Sequence, residues 1–509
     1  MEAVRFVRSE ELERGQKGGF FGLQATSEQQ HKAPGRRLAK IVHLSDIQLA
    51  DVKSPARYEW ANAFSGVEGF GELIPSYRAQ EFMVAHALVA MIRHLNDLVA
   101  GEERVCAVVT GDSIDNSQRN ELDNFVAAIA GGIVNLQSGD SSMALVSAHG
   151  FGDVSFWHPD PGDDDYKRCW GYPTVEGMLE AAFRPIVSPG LACDWFVTNG
   201  NHELLIQGIG ITDEETASIA VGGEKQVGPP TVLPTDPERS GVEMPVVLLT
   251  GGPSQSVAPD LGRQFVNRRV LARAIRQANG TPQGHGLNDD DLLYYASELS
   301  DEMVLVGLDT AYRWGGAQGA IDVAQARWLV EVLRRYSTQY WGDDGSVVTC
   351  DGDDRLIVVA AHHPLATMTN SRAGVQPGFL LGDWLCTTLL QFPNVVLFLN
   401  GHTHENRVQV HRDGTRQLLE VTTSALMDWP CEARSLEITV DEDDLWITSV
   451  MLNFDGAGTP GPEQLDTVGL ASWHRLLAAN TPGLGRAPEG NATDRNFSWR
   501  QRRPRWLRA

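Results

Sequence analysis

From Leu38 onward the chain repeats one pattern, a short and nearly unbroken apolar run that ends in a polar cluster. The runs are LAKIVHLSD (38–46), VCAVVTGD (105–112), DWFVTNGN (194–201), MVLVGLDT (303–310), LIVVAAHHP (356–364) and NVVLFLNGHTH (394–404). Continuous apolar stretches of this length, rich in Val, Ile and Leu, fit strands buried on both faces. Between them, 77–100, 322–336 and 383–392 read as helices. Strand–helix alternation predicts an α/β protein with its chemistry at the C-terminal ends of the strands. After His404 the pattern changes: 418–430 and 435–452 read as antiparallel strands with a turn at Asp441–Asp444.

The regular pattern sets the expected organisation. Residues 1–38 are a polar, Gly-rich leader expected to be loosely held, 39–455 form one catalytic domain, and 456–509 are a Gly/Pro-rich tail ending in the basic run RQRRPRWLRA. Two inserts, about 117–190 and 206–300, interrupt the domain. Connections of that length are functional or disordered more often than not.

Composition narrows the choices without naming one. A chain of 509 residues, 42% hydrophobic, can bury a large core. With 66 acidic against 42 basic residues and a net charge of −24, no nucleic-acid-binding surface is expected. A small phosphorylated substrate remains compatible, because bound cations reverse the local field. The six cysteines form no CxxC pair and read as free thiols. No apolar run reaches the roughly 18 residues of a membrane span. The start, MEAVRFVRSE, lacks the apolar core of a signal peptide, so a cytoplasmic location is expected. The oligomeric state is not legible.

Five polar clusters close the apolar runs: Asp46-Ile47-Gln48; Gly111-Asp112-Ser113-Ile114-Asp115-Asn116; Gly200-Asn201-His202-Glu203; His362-His363-Pro364; and Gly401-His402-Thr403-His404. Any one alone is a weak signal. Five in order can aim side chains from several strand ends into one crevice. Carboxylates, imidazoles and an amide carbonyl suit a pair of Mn²⁺, Fe or Zn²⁺ ions.

In these clusters the sequence resembles the calcineurin-like metallophosphoesterase superfamily, whose motifs run DxH, GDxxD, GNHE/D, HxP and GHxH. The resemblance covers about residues 41–404 with one substitution. It implies a four-layer α/β/β/α sandwich and a dinuclear metal-dependent hydrolase of phosphate esters using a metal-bridging hydroxide. It also implies roles. Asp112 bridges two divalent ions; Asp46, residue 48 and His404 complete the first site; Asn201, His362 and His402 complete the second. His202 acts on the phosphoryl or leaving oxygen, oriented by Asp115.

Gln48 departs from the pattern, since most members carry His there. Either the first site is weakened or the Gln carbonyl is a working ligand that favours Mn²⁺ over Zn²⁺. The intact remainder of the set favours the working ligand. The stretch SDIQLAD also resembles the corresponding segment of Mn²⁺-dependent ADP-ribose/CDP-alcohol diphosphatases. The layout is similar to a long-insert bacterial group that often carries a twin-arginine signal. Here Arg36-Arg37 runs straight into the first strand. Phosphodiester, phosphomonoester and diphosphate substrates stay open. So do a non-catalytic phospholigand-binding protein and a protein phosphatase.

Weaker expectations attach to five positions. Asn116, Arg119 and His363 are candidate substrate contacts, Arg119 as a bidentate phosphate ligand or a surface charge. His285 is a lid residue or part of a turn. His43 reads as a satisfied core histidine.

Overall fold

The computed structural model describes residues 3–14, 19–29, 31, 34–140, 154–278, 287, 292–375, 378–484 and 487–508. His285 lies outside the described residues. The elements used below are, in chain order, strands β1 (Ala3–Arg14), β2 (Gly19–Glu28) and β3 (Arg36–Leu44), helix α1 (Val84–Val99), β4 (Val105–Thr110), α2 (Arg119–Ala130), β5 (Asp194–Thr198) and α3 (Arg268–Gln277). There follow β6 (Tyr295–Ser300), β7 (Met303–Gly307), α4 (Val323–Arg335), β8 (Leu356–Ala360), α5 (Gly382–Gln391) and β9 (Val395–Asn400). The last are β10 (Arg407–Asp413), β11 (Arg416–Thr422), β12 (Ala433–Val440), β13 (Asp444–Leu452), α6 (Thr467–Ala479) and β14 (Phe497–Arg502).

Two six-stranded sheets form the centre. The first runs β14-β13-β12-β3-β4-β5 and the second β6-β7-β8-β9-β11-β10. Within them β3, β4 and β5 are mutually parallel, as are β7, β8, β9 and β11, so their C-terminal ends gather on one edge of the sandwich. The outer strands of each sheet are antiparallel.

Side-chain alternation explains the layering. In β7, Met303 and Leu305 join the apolar cluster that holds Ile41, Ala107 and Val197 of the first sheet. Val304 and Val306 point the other way, among Leu329 and Leu333 of α4 and Leu385 and Leu389 of α5. Successive residues of a strand face opposite sides, so a strand covered on both sides must be apolar throughout. On the far side of the first sheet, Leu88, Met91 and Leu95 of α1 pack with Leu470 and Leu477 of α6. Each fully buried side chain of this kind contributes roughly 1.5–3 kcal/mol. The result is the four-layer α/β/β/α sandwich.

Three expectations need correction. Much of the leader is not loose: β1 and β2 form a hairpin whose Phe6, Phe20 and Leu23 are buried. The Phe20 ring meets Tyr172 edge-on at 4.9 Å, and Asn480 after α6 hydrogen-bonds both the N–H and the C=O of Phe21. Nor does the folded domain end at 455. α6 lies in the core, with Arg475 stacked 3.5 Å from the Phe6 ring centroid, and β14 pairs with β13. Gly and Pro around α6 mask an apolar TVGLASWHRLLAA segment, which is buried on all sides from Gly469 onward. Lastly, Glu81–Val99 is a 19-residue helical stretch apolar enough by length and composition to cross a membrane, yet most of it is buried in this fold.

Candidate metal centre

All five polar clusters lie just beyond the C-terminal ends of parallel strands: β3, β4 and β5 from one sheet, β8 and β9 from the other. The loops after β3 and β4 are stitched together, with the N–H groups of Asp46, Gln48 and Leu49 donating to the carbonyls of Gly111, Asp112 and Ser113. Gly200 and Gly401 allow the remaining loops to close in. A Cβ on Gly200 would overlap Asp112 Oδ1, and one on Gly401 would overlap Ser45 and Asp46.

The backbone at the site is strained. Among the described residues, nine non-glycine residues have positive φ. Five of them are expected ligands: Asp46 (50°), Gln48 (47°), Asp112 (49°), His402 (68°) and His404 (56°). Such conformations cost about 1 kcal/mol or more apiece and persist where the surroundings over-determine them.

Most of the expected ligands have one polar atom tied to the protein and another turned inward. His362 Nδ1 donates to the Thr110 carbonyl at 2.7 Å, leaving Nε2 3.0 Å from Asp112 Oδ2. His404 Nδ1 bonds Asp428 Oδ2 at 2.7 Å, leaving Nε2 3.3 Å from Asp46 Oδ1. His402 presents Nδ1 to His362 Nε2 at 3.2 Å. Asp46 Oδ2 accepts the His402 N–H, and Asp112 Oδ1 accepts the His202 N–H, both at 2.9 Å. Asn201 donates from Nδ2 to the Gly208 carbonyl at 2.9 Å, and Gln48 Nε2 lies 3.1 Å from His202 Nε2.

That leaves Asp46 Oδ1, Gln48 Oε1 and Asn201 Oδ1 buried with no hydrogen-bond partner among the described residues. A buried acceptor without a donor is destabilising by about 1–3 kcal/mol. Three within one set of histidines and carboxylates fit a cation as the missing partner. One ligand atom each from Asp46, Asp112 and His362 lie within 4.8 Å of one another. The donor set therefore fits divalent metal, and Gln48 behaves as Asn201 does, with nitrogen spent and oxygen turned inward.

The electrostatics agree. Burial alone would discharge the His362 and His404 rings, but Asp112 and Asp46 outweigh it and push them up to about 9 and about 10. Burial would raise Asp112 and Asp428; instead His362 and His202 hold the first, and Arg78 and His404 the second, below the carboxylate range. Burial, then the neighbouring His362, lowers His402 to about 3. The crevice thus favours positive charge at its centre.

The partner of His202 differs from expectation. Its Nδ1 donates to the main-chain carbonyl of Asp115 at 2.6 Å, while the carboxylate is 3.6 Å away. That carboxylate is taken by Arg57, a buried guanidinium that also binds Glu59 at 3.0 Å and Glu81 at 2.9 Å. Asp115 still orients the ring, through its backbone. His202 Nε2 faces inward, 3.8 Å from Asp112 Oδ2.

The three expected substrate contacts are committed elsewhere. The Asn116 amide is buried, donating to the Ala56 carbonyl and accepting from the Gln207 N–H, both at 2.8 Å. Arg119 is exposed at the start of α2 and pairs with Asp123 at 2.7 Å. His363 is buried between Thr310 Oγ1 and the Ala317 carbonyl, each at 2.8 Å. Burial holds its pKa well below the usual value, so the neutral ring donates from Nε2 and accepts at Nδ1. His43 sits in the core between Thr110 and Thr423, as expected.

Sequence reasoning missed three supports. Asp428 fixes His404 and is itself held by Arg78 Nε at 2.9 and 3.0 Å. Glu203 accepts the N–H groups of Asp112, Ser113 and Gly200, clamping two ligand loops together. Arg57 fixes Asp115. Glu203 and Asp428 both left a signal, each as a carboxylate in a polar cluster at or shortly after an apolar run, but neither carried a role.

No protein-family description matches the chain, and no curated protein matches it in sequence. Among solved structures it is similar to PhoD, at 12% identity and a TM-score of 0.32, over 86% of this chain and 73% of that one. It is similar to the sulfate thiohydrolase SoxB of Thermus thermophilus, at 11% identity and a TM-score of 0.29, over 83% of this chain and 58% of that one. It is also similar to a Staphylococcus aureus protein named as a 5′-nucleotidase, at 12% identity and a TM-score of 0.31, over 86% of this chain and 58% of that one. The chain spans less than two thirds of the last two proteins. Likenesses this low define neither substrate nor reaction.

Proposed function

We propose that the chain is a metal-dependent phosphoric ester hydrolase of the metallophosphoesterase type with a dinuclear centre. The observation that carries this reading is the set of three orphaned oxygens, on Asp46, Gln48 and Asn201, converging with the inward nitrogens of His362, His402 and His404 around Asp112. Asp46, Gln48, Asp112 and His404 would hold one ion, and Asp112, Asn201, His362 and His402 the other. Oxygen donors dominate the first site, which favours Mn²⁺ over Zn²⁺ or Fe. When bound, two such ions acidify water and draw phosphoryl oxygens into the site.

The chain's own residues supply the rest. Glu203 and the paired loops hold the ligands before substrate arrives, so little reorganisation is needed at the moment of reaction. His202 keeps its Nδ1 proton on the Asp115 carbonyl and presents Nε2 at the inner edge of the site. In this arrangement Nε2 accepts from the Gln48 amide; once that amide turns away, a proton taken up at Nε2 can pass to the leaving oxygen of a small phosphate ester.

The test is metal analysis plus a hydrolysis screen with Mn²⁺ supplied. The substrates are aryl phosphate mono- and diesters, cyclic nucleotides and nucleotide diphosphate conjugates. Turnover of at least one, abolished in Asp112→Ala, is expected. No turnover by the metal-loaded chain, or wild-type rates in Asp112→Ala, would sink the reading.

A further inference from the structure

Among the described residues, Trp314 is the exposed tryptophan, with 53% of its surface open. A single exposed aromatic is ordinary on a protein surface; what distinguishes Trp314 is its backbone. The backbone here is fixed, and it is fixed to the metal centre. The loop carrying Trp314 begins and ends on one histidine: Thr310 bonds His363 Nδ1 and the Ala317 carbonyl accepts from His363 Nε2, each at 2.8 Å. The His363 ring centroid lies 4.4 Å from that of His402. Next to its Ala317 end, the Gly316 N–H donates at 2.9 Å to the carbonyl of Ile209, on the segment that follows His202. The loop is thus tied both to the histidine beside His402 and to the segment that follows His202. Beside the ring, the Arg313 guanidinium lies 4.5 Å from its centroid.

We propose that Trp314, with Arg313, is a stacking platform that selects phosphate esters carrying a planar aromatic group, such as a nucleobase, next to the reacting phosphate. The proposal deepens the hydrolase reading and rests on it. The indole offers a flat face at low entropic cost, because its loop is already held. The arginine adds a cation for an aromatic ring or a second anionic group.

The experiment uses the full chain loaded with Mn²⁺ and two probes, adenosine 5′-monophosphate and ribose 5-phosphate, which differ by the base. Equilibrium binding is measured for wild type, Trp314→Ala and Trp314→Phe. Wild type should prefer the nucleotide. Trp314→Ala should weaken nucleotide binding about 5- to 150-fold, the range for loss of one base–aromatic stack. Ribose phosphate binding should stay within about twofold, and Trp314→Phe should recover most of the loss. Equal weakening of both probes, no weakening of either, no recovery by Phe, or no nucleotide binding by wild type would each overturn the platform. The hydrolase reading fails separately, through absent turnover with base discrimination intact.

Discussion

Asp428→Asn isolates the least legible support of the metal centre. In the native chain Asp428 Oδ2 accepts the His404 Nδ1 proton at 2.7 Å, and Arg78 Nε spans both carboxylate oxygens at 2.9 and 3.0 Å. The amide keeps the shape but has one acceptor. If its oxygen stays on Arg78, its NH₂ faces the His404 Nδ1 proton, donor against donor. His404 then moves its proton to Nε2, the atom turned inward. Losing a carboxylate behind a metal-binding histidine lowers metal affinity by about 10- to 100-fold, or roughly 1.4–2.7 kcal/mol. Arg78 also loses its anion. The Arg78 and Asp428 side chains are 9% and 23% exposed, so water screens part of that loss, and we expect about 1–3 kcal/mol of folding stability to go. Competition between the protein and a chelating indicator for Mn²⁺ measures the first effect, and urea unfolding the second. Mn²⁺ affinity within twofold of wild type, in a preparation where Asp112→Ala does bind more weakly, would refute the role given to Asp428.

Three other outcomes follow from the same geometry. In chelator-stripped protein, His362 and His404 titrate above the ordinary imidazole value, so their stabilisation is complete below pH about 6.5 and is lost as pH rises through about 9 and about 10. The urea midpoint of stripped protein should fall across that window and that of Mn²⁺-loaded protein should fall less; parallel curves would count against a cation replacing those protons. Gln48→His should shift metal preference toward Zn²⁺ or Fe, and an unchanged metal profile would mean that Gln48 is not a ligand. His202→Ala should lower turnover by about 10²- to 10⁴-fold for alkyl leaving groups and less for activated aryl ones, at unchanged metal content; an equal loss on both would exclude proton donation by His202.

The expected ligands were legible because each closes an apolar run, and burial of a strand on both faces leaves that signature in the sequence. Their supports were less so. The Thr110 carbonyl behind His362 is main chain and has no residue-type signature. Arg57, eleven residues beyond Asp46, holds Asp115 only because the fold brings two loops together. Asp115 shows the limit most clearly. The motif put a carboxylate beside His202, but a buried guanidinium offers that carboxylate a stronger partner and leaves the carbonyl for the histidine. The chain ends were misread for a different reason. Apolar residues in β1, β2 and α6 are interleaved with charged, Gly and Pro residues that dominate a local reading, and only packing against one another makes them core.

Strand β3 lies between β4 and β12, with His43 opposite Arg434. One neighbour of β3 is therefore made soon after it on the ribosome and the other almost four hundred residues later. At about 5–20 residues per second, β3 spends roughly 20–80 s of synthesis as an open sheet edge next to Asp46. An unpaired edge of alternating N–H and C=O groups is a template for pairing with other chains. The nascent protein thus has an interval in which that edge is open, and it ends when β12 pairs with β3.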